Sequence, residues 1–259
     1  MPMPMRKEAH FGRVMNCYAD RPRHVGELLA QSFARAGEAL AVVDGRTRLG
    51  YPQLDAAARA LAAHLRARGL RQGDRVAVML TNQAEAVISV VALARLGAIL
   101  VPLGTRLRCP EIGYIFEDAQ PVALIHGSAF AAELPDTGPA GGMRFDCDSA
   151  AWAAMLQPVA GTDVEAGVEP IVEAVLEISE EDIFGILYTS GTTGKPKGAL
   201  LTHLNVVHSC LHWQDAHSLG RDDRTLLAIP CVPAKGLRLQ GQATKPKMLQ
   251  CKRTVNARG

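Results

Sequence analysis

The run Tyr188-Thr189-Ser190-Gly191-Thr192-Thr193-Gly194-Lys195-Pro196-Lys197-Gly198 gathers more reactive potential than any other stretch of this 259-residue chain. Three glycines permit tight bends and close backbone approach, four hydroxyls offer donors, and two lysines bring positive charge. That inventory suits a polyphosphate. It is not the GxxxxGK[ST] loop of P-loop nucleotide hydrolases, because Lys195 is followed by a proline that forbids that strand-loop-helix geometry. Nor is it a GxGxxG dinucleotide fingerprint, so kinase, GTPase and dehydrogenase readings lose their main support. The bland alternative is a Gly/Thr-rich linker, but a linker has no need of fixed lysines, an internal proline and apolar flanks.

Those flanks read as strands at 183–188 and 199–202, which places the loop at the carboxyl end of a sheet as a turn between two covered strands. Upstream, helical and strand-like stretches alternate. A stripe of Val25, Leu28, Leu29 and Phe33 leads to a strand at 39–43, and a helix from Tyr51 is closed by Gly69 before a strand at 75–80. The apolar segment 86–104 is long enough to imitate a membrane span. Arg95 in its middle, Gly97 and the β-branched run after it instead indicate a buried helix feeding a buried strand. A short helix at 110–117 and a strand at 122–125 follow. Repeated strand-helix-strand succession with near-continuous apolar runs predicts an α/β fold, with layered, mostly parallel sheets and helices on both faces.

The expected divisions are an N-terminal arm at 1–23, a first α/β subdomain at 24–178 with an irregular excursion at 126–178, and the start of a second α/β subdomain at 179–233. After Pro233 the character changes: residues 234–259 hold seven basic side chains and no acid, without sustained periodicity, and are expected to be an unpatterned basic tail. The remaining body is acidic and shows no basic-aromatic face, so a nucleic-acid partner is not expected. Six cysteines are scattered at 17, 109, 147, 210, 231 and 251 without a CxxC pair. Together with an N-terminus lacking an apolar core, they indicate free thiols, no transmembrane segment and a cytoplasmic setting. His208 and His212 have the i, i+4 spacing of a metal pair but lack a third placed ligand, so a His-rich helix surface is the reading preferred.

The stretch YTSGTTGKPKGALLTHLN resembles the phosphate-binding signature of the adenylate-forming superfamily, of the acyl-CoA synthetase type. Two weaker stretches agree and occur in the family's order: residues 49–54 (LGYPQL) are similar to its first core motif and residues 93–103 (LARLGAILVPL) to its second. The resemblance implies the N-terminal part of an ATP-dependent, AMP-forming carboxylate-CoA ligase using ATP, Mg²⁺ and coenzyme A on a small carboxylic acid, with fatty-acid metabolism as its setting. It assigns phosphate binding to the hydroxyls of Thr189, Ser190, Thr192 and Thr193, the backbone of Gly191 and Gly194, and the charges of Lys195 and Lys197. Lys197 is favoured, because it stands at the family's Pro-Lys-Gly position. No catalytic residue or metal ligand is assigned. The family's adenine, ribose, hinge and catalytic-lysine motifs are not found after Gly198, and Cys231-Val-Pro-Ala-Lys stands where the family has a His-containing turn. The expectation is therefore a truncated chain, inactive alone, with an exposed sheet edge. A non-catalytic ATP- or pyrophosphate-binding fragment, or a product without function, is the alternative.

Overall fold

The computed structural model describes residues 3–45, 47–157, 177–189, 196–219 and 223–227, with the backbone alone of 248–251. Four strands in order of sequence build the centre: β5 (Arg75–Met79), β6 (Ile99–Pro102), β7 (Ala123–His126) and β8 (Met143–Asp146). With β9 (Ile183–Thr189) and β10 (Lys197–Thr202) they form a six-stranded sheet in the order β10-β9-β6-β5-β7-β8. All neighbours pair in parallel except β9 and β10.

The side-chain alternation of β5 shows why both faces must be covered. Val76 and Val78 join one apolar cluster and Ala77 and Met79 the other, all fully buried. From β5 the chain steps to β6 through α3 (Ala84–Leu96), then crosses back over β5 to β7 through α4 (Cys109–Ala119). Right-handed crossovers running in opposite directions put their helices on opposite faces. Accordingly α3 packs in the first cluster, with α1 (Val25–Ala36), α2 (Tyr51–Ala67), α5 (Ala150–Met155) and α6 (His203–Ala216), while α4 packs in the second.

The segment that imitates a membrane span is α3, Gly97 and β6. Of α3, Ala84, Ala86–Leu93, Ala94 and Leu96 are all buried, Gly97 takes the left-handed conformation at φ 62°, and its N–H bonds to Ala94 O. Helix burial on nearly every side explains the continuous apolarity. Among the described residues no helix is long and apolar enough to cross a membrane. The N-terminus of α3 is capped from outside its own sequence: the Asp44 carboxylate accepts from Ala84 N at 2.8 Å and from Thr47 N at 2.7 Å.

Several elements differ from the expectation. Residues 1–23 contain an antiparallel hairpin, β1 (Met5–His10) and β2 (Arg13–Tyr18), turning through Phe11 and Gly12, both at positive φ (51° and 70°). Two central residues in that region make the mirror-image turn that suits a twisted hairpin. Within 126–178 the structure adds a parallel edge strand, β8, to the central sheet. β9 and β10 extend the central sheet, with Gly185 registered against Leu100 of β6. A Cβ at Gly185 would sit 3.1 Å from Leu100 O, so the glycine lets the two strands approach. A second sheet has the order β11-β12-β3-β4, from β3 (Leu40–Val43), β4 (Arg48–Gly50), β11 (Arg224–Leu227) and β12 (Met248–Cys251). β12 lies in the stretch 234–259 that lacks sequence periodicity, paired in parallel with β11 and β3.

Candidate functional site

The phosphate-loop sequence closes the β9-β10 hairpin. Thr189 is registered opposite Lys197, and both are exposed. Ser190, Gly191, Thr192, Thr193, Gly194 and Lys195 lie outside the described residues. The strand after the loop is not covered as expected: Lys197, Gly198, Ala199 and Leu200 are all exposed, because β10 is an edge strand with a neighbour on one side only. The pairing is antiparallel, as a turn between the two strands implies, and the seven residues between Thr189 and Lys197 suffice for a hairpin but not for a crossover helix.

The third glycine of the run has a structural role. Gly198 is registered opposite Tyr188, and a Cβ there would lie 2.9 Å from Ile186 Cγ2 and 3.2 Å from Tyr188 Cζ. The absence of a side chain therefore lets the Tyr188 ring lie across β10. Tyr188 OH in turn donates to Asp118 Oδ2 of α4 at 2.5 Å, which ties the root of the hairpin to the helix on that face. Burial, then the Asp118 carboxylate, pushes the Tyr188 hydroxyl well above its ordinary range, so it stays a donor. Nothing in the sequence marks Asp118 as this partner, because the two residues are seventy positions apart.

The far end of the hairpin is fixed by THLN, the last four residues of the signature. Thr202 Oγ1 accepts from Asn205 N at 3.3 Å and Asn205 Oδ1 accepts from Thr202 N at 3.1 Å, a reciprocal cap that starts α6. His203 follows, 2% exposed, with Nδ1 accepting from Val25 N at 3.2 Å and the ring edge-on to Phe184 at 5.4 Å. Burial, reinforced by His24, pushes the His203 imidazole down to about 4, so it is a neutral acceptor pinning α6 to the start of α1.

The two weaker motifs are scaffold. Leu49 and Gly50 end β4, and Gly50 is the N-cap of α2 with Pro52 in its first turn. Leu93 to Leu96 end α3 and lead into β6. Arg95 of the second stretch pairs through its guanidinium with Asp55, the residue that follows the first stretch in α2, and lies 5.6 Å over the Phe33 ring. Their link to the hairpin is the β6-β9 pairing.

The His208–His212 pair does not converge on a common point: His208 stacks on Tyr18 at 5.3 Å, and His212 is exposed. Cys17, Cys109, Cys147 and Cys210 form no disulfide among the described residues. Burial, then Asp148, pushes the Cys147 thiol up to about 12, so it is an inert core group that receives a hydrogen bond from Gln83 Nε2 at 3.1 Å.

Comparison with known proteins agrees with this arrangement. A feruloyl-CoA synthase of an Amycolatopsis species is 35% identical over 214 residues, spanning 82% of this chain and 39% of that protein. A long-chain-fatty-acid–CoA ligase of Mycobacterium tuberculosis is 32% identical over 214 residues, spanning 80% of this chain and 41% of its own length. The chain thus spans about two-fifths of the length of these relatives. Among solved structures, a Mycobacterium tuberculosis fatty acyl CoA synthetase superposes with a TM-score of 0.72 at 28% identity, over 88% of this chain and 44% of that one. The AMP-binding enzyme family matches residues 29–239, from the second turn of α1 past β11, and so takes in every element that frames the hairpin. Sequence, fold and hairpin therefore agree that this chain belongs to the AMP-binding enzyme family.

Proposed function

We propose that this chain supplies the phosphate-gripping part of an ATP-dependent, AMP-forming carboxylate-thiol ligase. The observation that carries the reading is the hairpin mouth, where Thr189 and Lys197 face one another at the exposed ends of two paired strands in a chain of this family. In the reaction, a carboxylate oxygen bonds to the α-phosphorus of ATP, the bond to the β-phosphate bridging oxygen breaks, and pyrophosphate leaves. A thiolate sulfur, that of coenzyme A in the relatives' class of reaction, then bonds to the acyl carbon and AMP departs.

This chain's share is to hold the departing diphosphate. Thr189, Ser190, Thr192 and Thr193 donate hydroxyls, Gly191 and Gly194 let the backbone N–H groups approach, and Lys195 and Lys197 offset charge accumulating on the leaving group. Gly198, Tyr188 and Asp118 keep the hairpin root rigid, which aims those groups before the nucleotide arrives. The donor set fits phosphate oxygens. It is not a cage for magnesium: Thr189 and Lys197 are a hydroxyl and a cation, and the Asp118 carboxylate is engaged by Tyr188. Bound with the triphosphate, Mg²⁺ would supply further charge neutralisation.

Calorimetric titration with Mg-ATP and with pyrophosphate tests the grip. Lys197→Ala is expected to weaken both by roughly 10- to 100-fold, the loss of a charge-assisted hydrogen bond. Equal affinity in the variant, or no binding by the wild-type chain, overturns the reading. Carboxylate-dependent pyrophosphate exchange then separates a ligase from a chain that binds the nucleotide without turnover.

A further inference from the structure

The N-terminal hairpin, which the nucleotide chemistry does not use, concentrates exposed apolar surface. Among the described residues five large hydrophobic side chains are exposed, and three of them, Met5, Phe11 and Val14 at 54%, 51% and 71%, lie on this hairpin. Directly opposed residues of an antiparallel pair share a face, so the register puts Ala9 with Val14 and Lys7 with Asn16 on one side, all four exposed. Phe11 stands at the turn beyond them. The turn has no need of it: a first central position at positive φ is best served by Asn, Asp or Gly, and a bulky residue there is uncommon. An apolar ring at the tip thus serves neither the turn nor a core.

The charge on this surface has one sign. Lys7 and Arg13 are exposed, and no ion pair engages either among the described residues. The neighbouring carboxylates lie behind. Side chains alternate along β1, so Glu8 falls on the inner face, where Arg21 and Arg6 hold it. Glu181 is on that side too, accepting from Phe11 N at 3.4 Å and standing 3.2 Å from His10 Nδ1. A two-stranded hairpin is marginal by itself. Here the fully buried Arg21 guanidinium joins Glu8 to Glu180 at the entry to β9 and donates to Tyr18 O at 2.7 Å, so the outer face is held as a fixed surface.

Apolar side chains at a turn flanked by cations match the interface of a bilayer with anionic headgroups, where apolar groups enter the acyl boundary and lysine and arginine stay among the phosphates. A second copy of the chain suits this face poorly, because a two-fold contact sets the same patch against itself, like charge against like. We infer that the outer face of the N-terminal hairpin docks on an anionic phospholipid surface, with Phe11 and Val14 inserted and Lys7 and Arg13 at the headgroup phosphates. The contact is peripheral and does not depend on nucleotide binding.

Co-sedimentation of the full chain with vesicles of phosphatidylcholine alone, and of phosphatidylcholine mixed with phosphatidylglycerol, tests this. Binding to the anionic vesicles is expected to be roughly 10- to 30-fold tighter, the worth of two cations at a charged surface, and to lose that margin in high salt. Lys7→Gln with Arg13→Gln removes the preference for anionic lipid. Phe11→Ser with Val14→Ser weakens binding to the anionic vesicles at least about 10-fold, while Leu200→Ser, at an apolar residue exposed elsewhere, leaves it unchanged. In the unaltered chain, anionic vesicles shield Lys7 from acetylation while Lys197 reacts as before, a reading that needs no variant to fold. The inference is overturned by equal binding to neutral and anionic vesicles, by unchanged binding in Phe11→Ser with Val14→Ser, by acetylation of Lys7 at an unchanged rate, by shielding of Lys197 in its place, or by self-association of the chain through this face.

Discussion

Replacing His203 by asparagine removes the titrating group but leaves an oxygen acceptor for the Val25 N–H, so it separates the proton from the hydrogen bond. In the folded chain the imidazole is pushed down to about 4 from an ordinary 6.5. Burial is the main cause; His24 pushes in the same direction and Asp182 opposes it. Folding therefore favours the neutral ring, and its contribution is fully present above the unfolded value. It declines as the pH falls from 6.5 towards 4, where the unfolded chain takes up a proton that the folded chain refuses. Relative to His203→Asn, the wild-type chain should lose roughly 1 kcal/mol by about pH 5.5 and roughly 3 kcal/mol by about pH 4. Urea unfolding of both chains at a series of pH values measures the difference, and the carboxylates common to both cancel in it. Parallel stability curves through that interval would refute the claim that a neutral His203 pins α6 to α1.

Three other perturbations probe the frame around the hairpin. Gly198→Ala forces a methyl against Ile186 and Tyr188 and should lower stability by about 1–3 kcal/mol, seen as a lower urea midpoint at unchanged slope. Arg21→Ala removes the buried guanidinium that joins Glu8 to Glu180, leaving the former to Arg6 and the latter to Arg23, and should lower the urea midpoint by the equivalent of roughly 1–3 kcal/mol. Arg21→Lys should recover only part of it, since an ammonium cannot fork to two carboxylates. Leu200 stands 57% exposed on the edge strand β10, so Leu200→Lys should reduce concentration-dependent association in sedimentation without changing the unfolding midpoint.

Much of this molecule was legible because local rules and tertiary demands agreed. Gly97 ends α3 where the left-handed conformation is required, and the helix is apolar on every side because it is buried on nearly every side. The strand β5 reads as a continuous apolar run because two clusters claim its alternate residues. The run at 188–198 stood out by its glycines, hydroxyls and lysines, whose chemistry does not depend on distant partners.

Other features needed the folded chain. The Phe11-Gly12 turn lacks the Asn-Gly or Asp-Gly signal, so the β1-β2 hairpin was hidden in what reads as an arm. The covering of the strand after the loop was misjudged because an apolar run such as Ala199-Leu200-Leu201 reads the same whether its strand lies inside a sheet or at its edge. Gly198, identical in type to Gly191 and Gly194 of the same run, turned out to answer to Tyr188 across the ladder.

The sequence by itself determined the α/β class, the order of the central helices and strands, and which loop carries the glycines, hydroxyls and lysines proposed to grip a diphosphate, because periodicity and side-chain chemistry are local properties. Only the tertiary structure decided that Asp118 holds Tyr188, that Asp44 caps α3, that His203 accepts from Val25, and that Arg21 joins Glu8 to Glu180. Each of these joins groups from different elements, and it is the packing of the elements, not any spacing along the chain, that brings their atoms within reach.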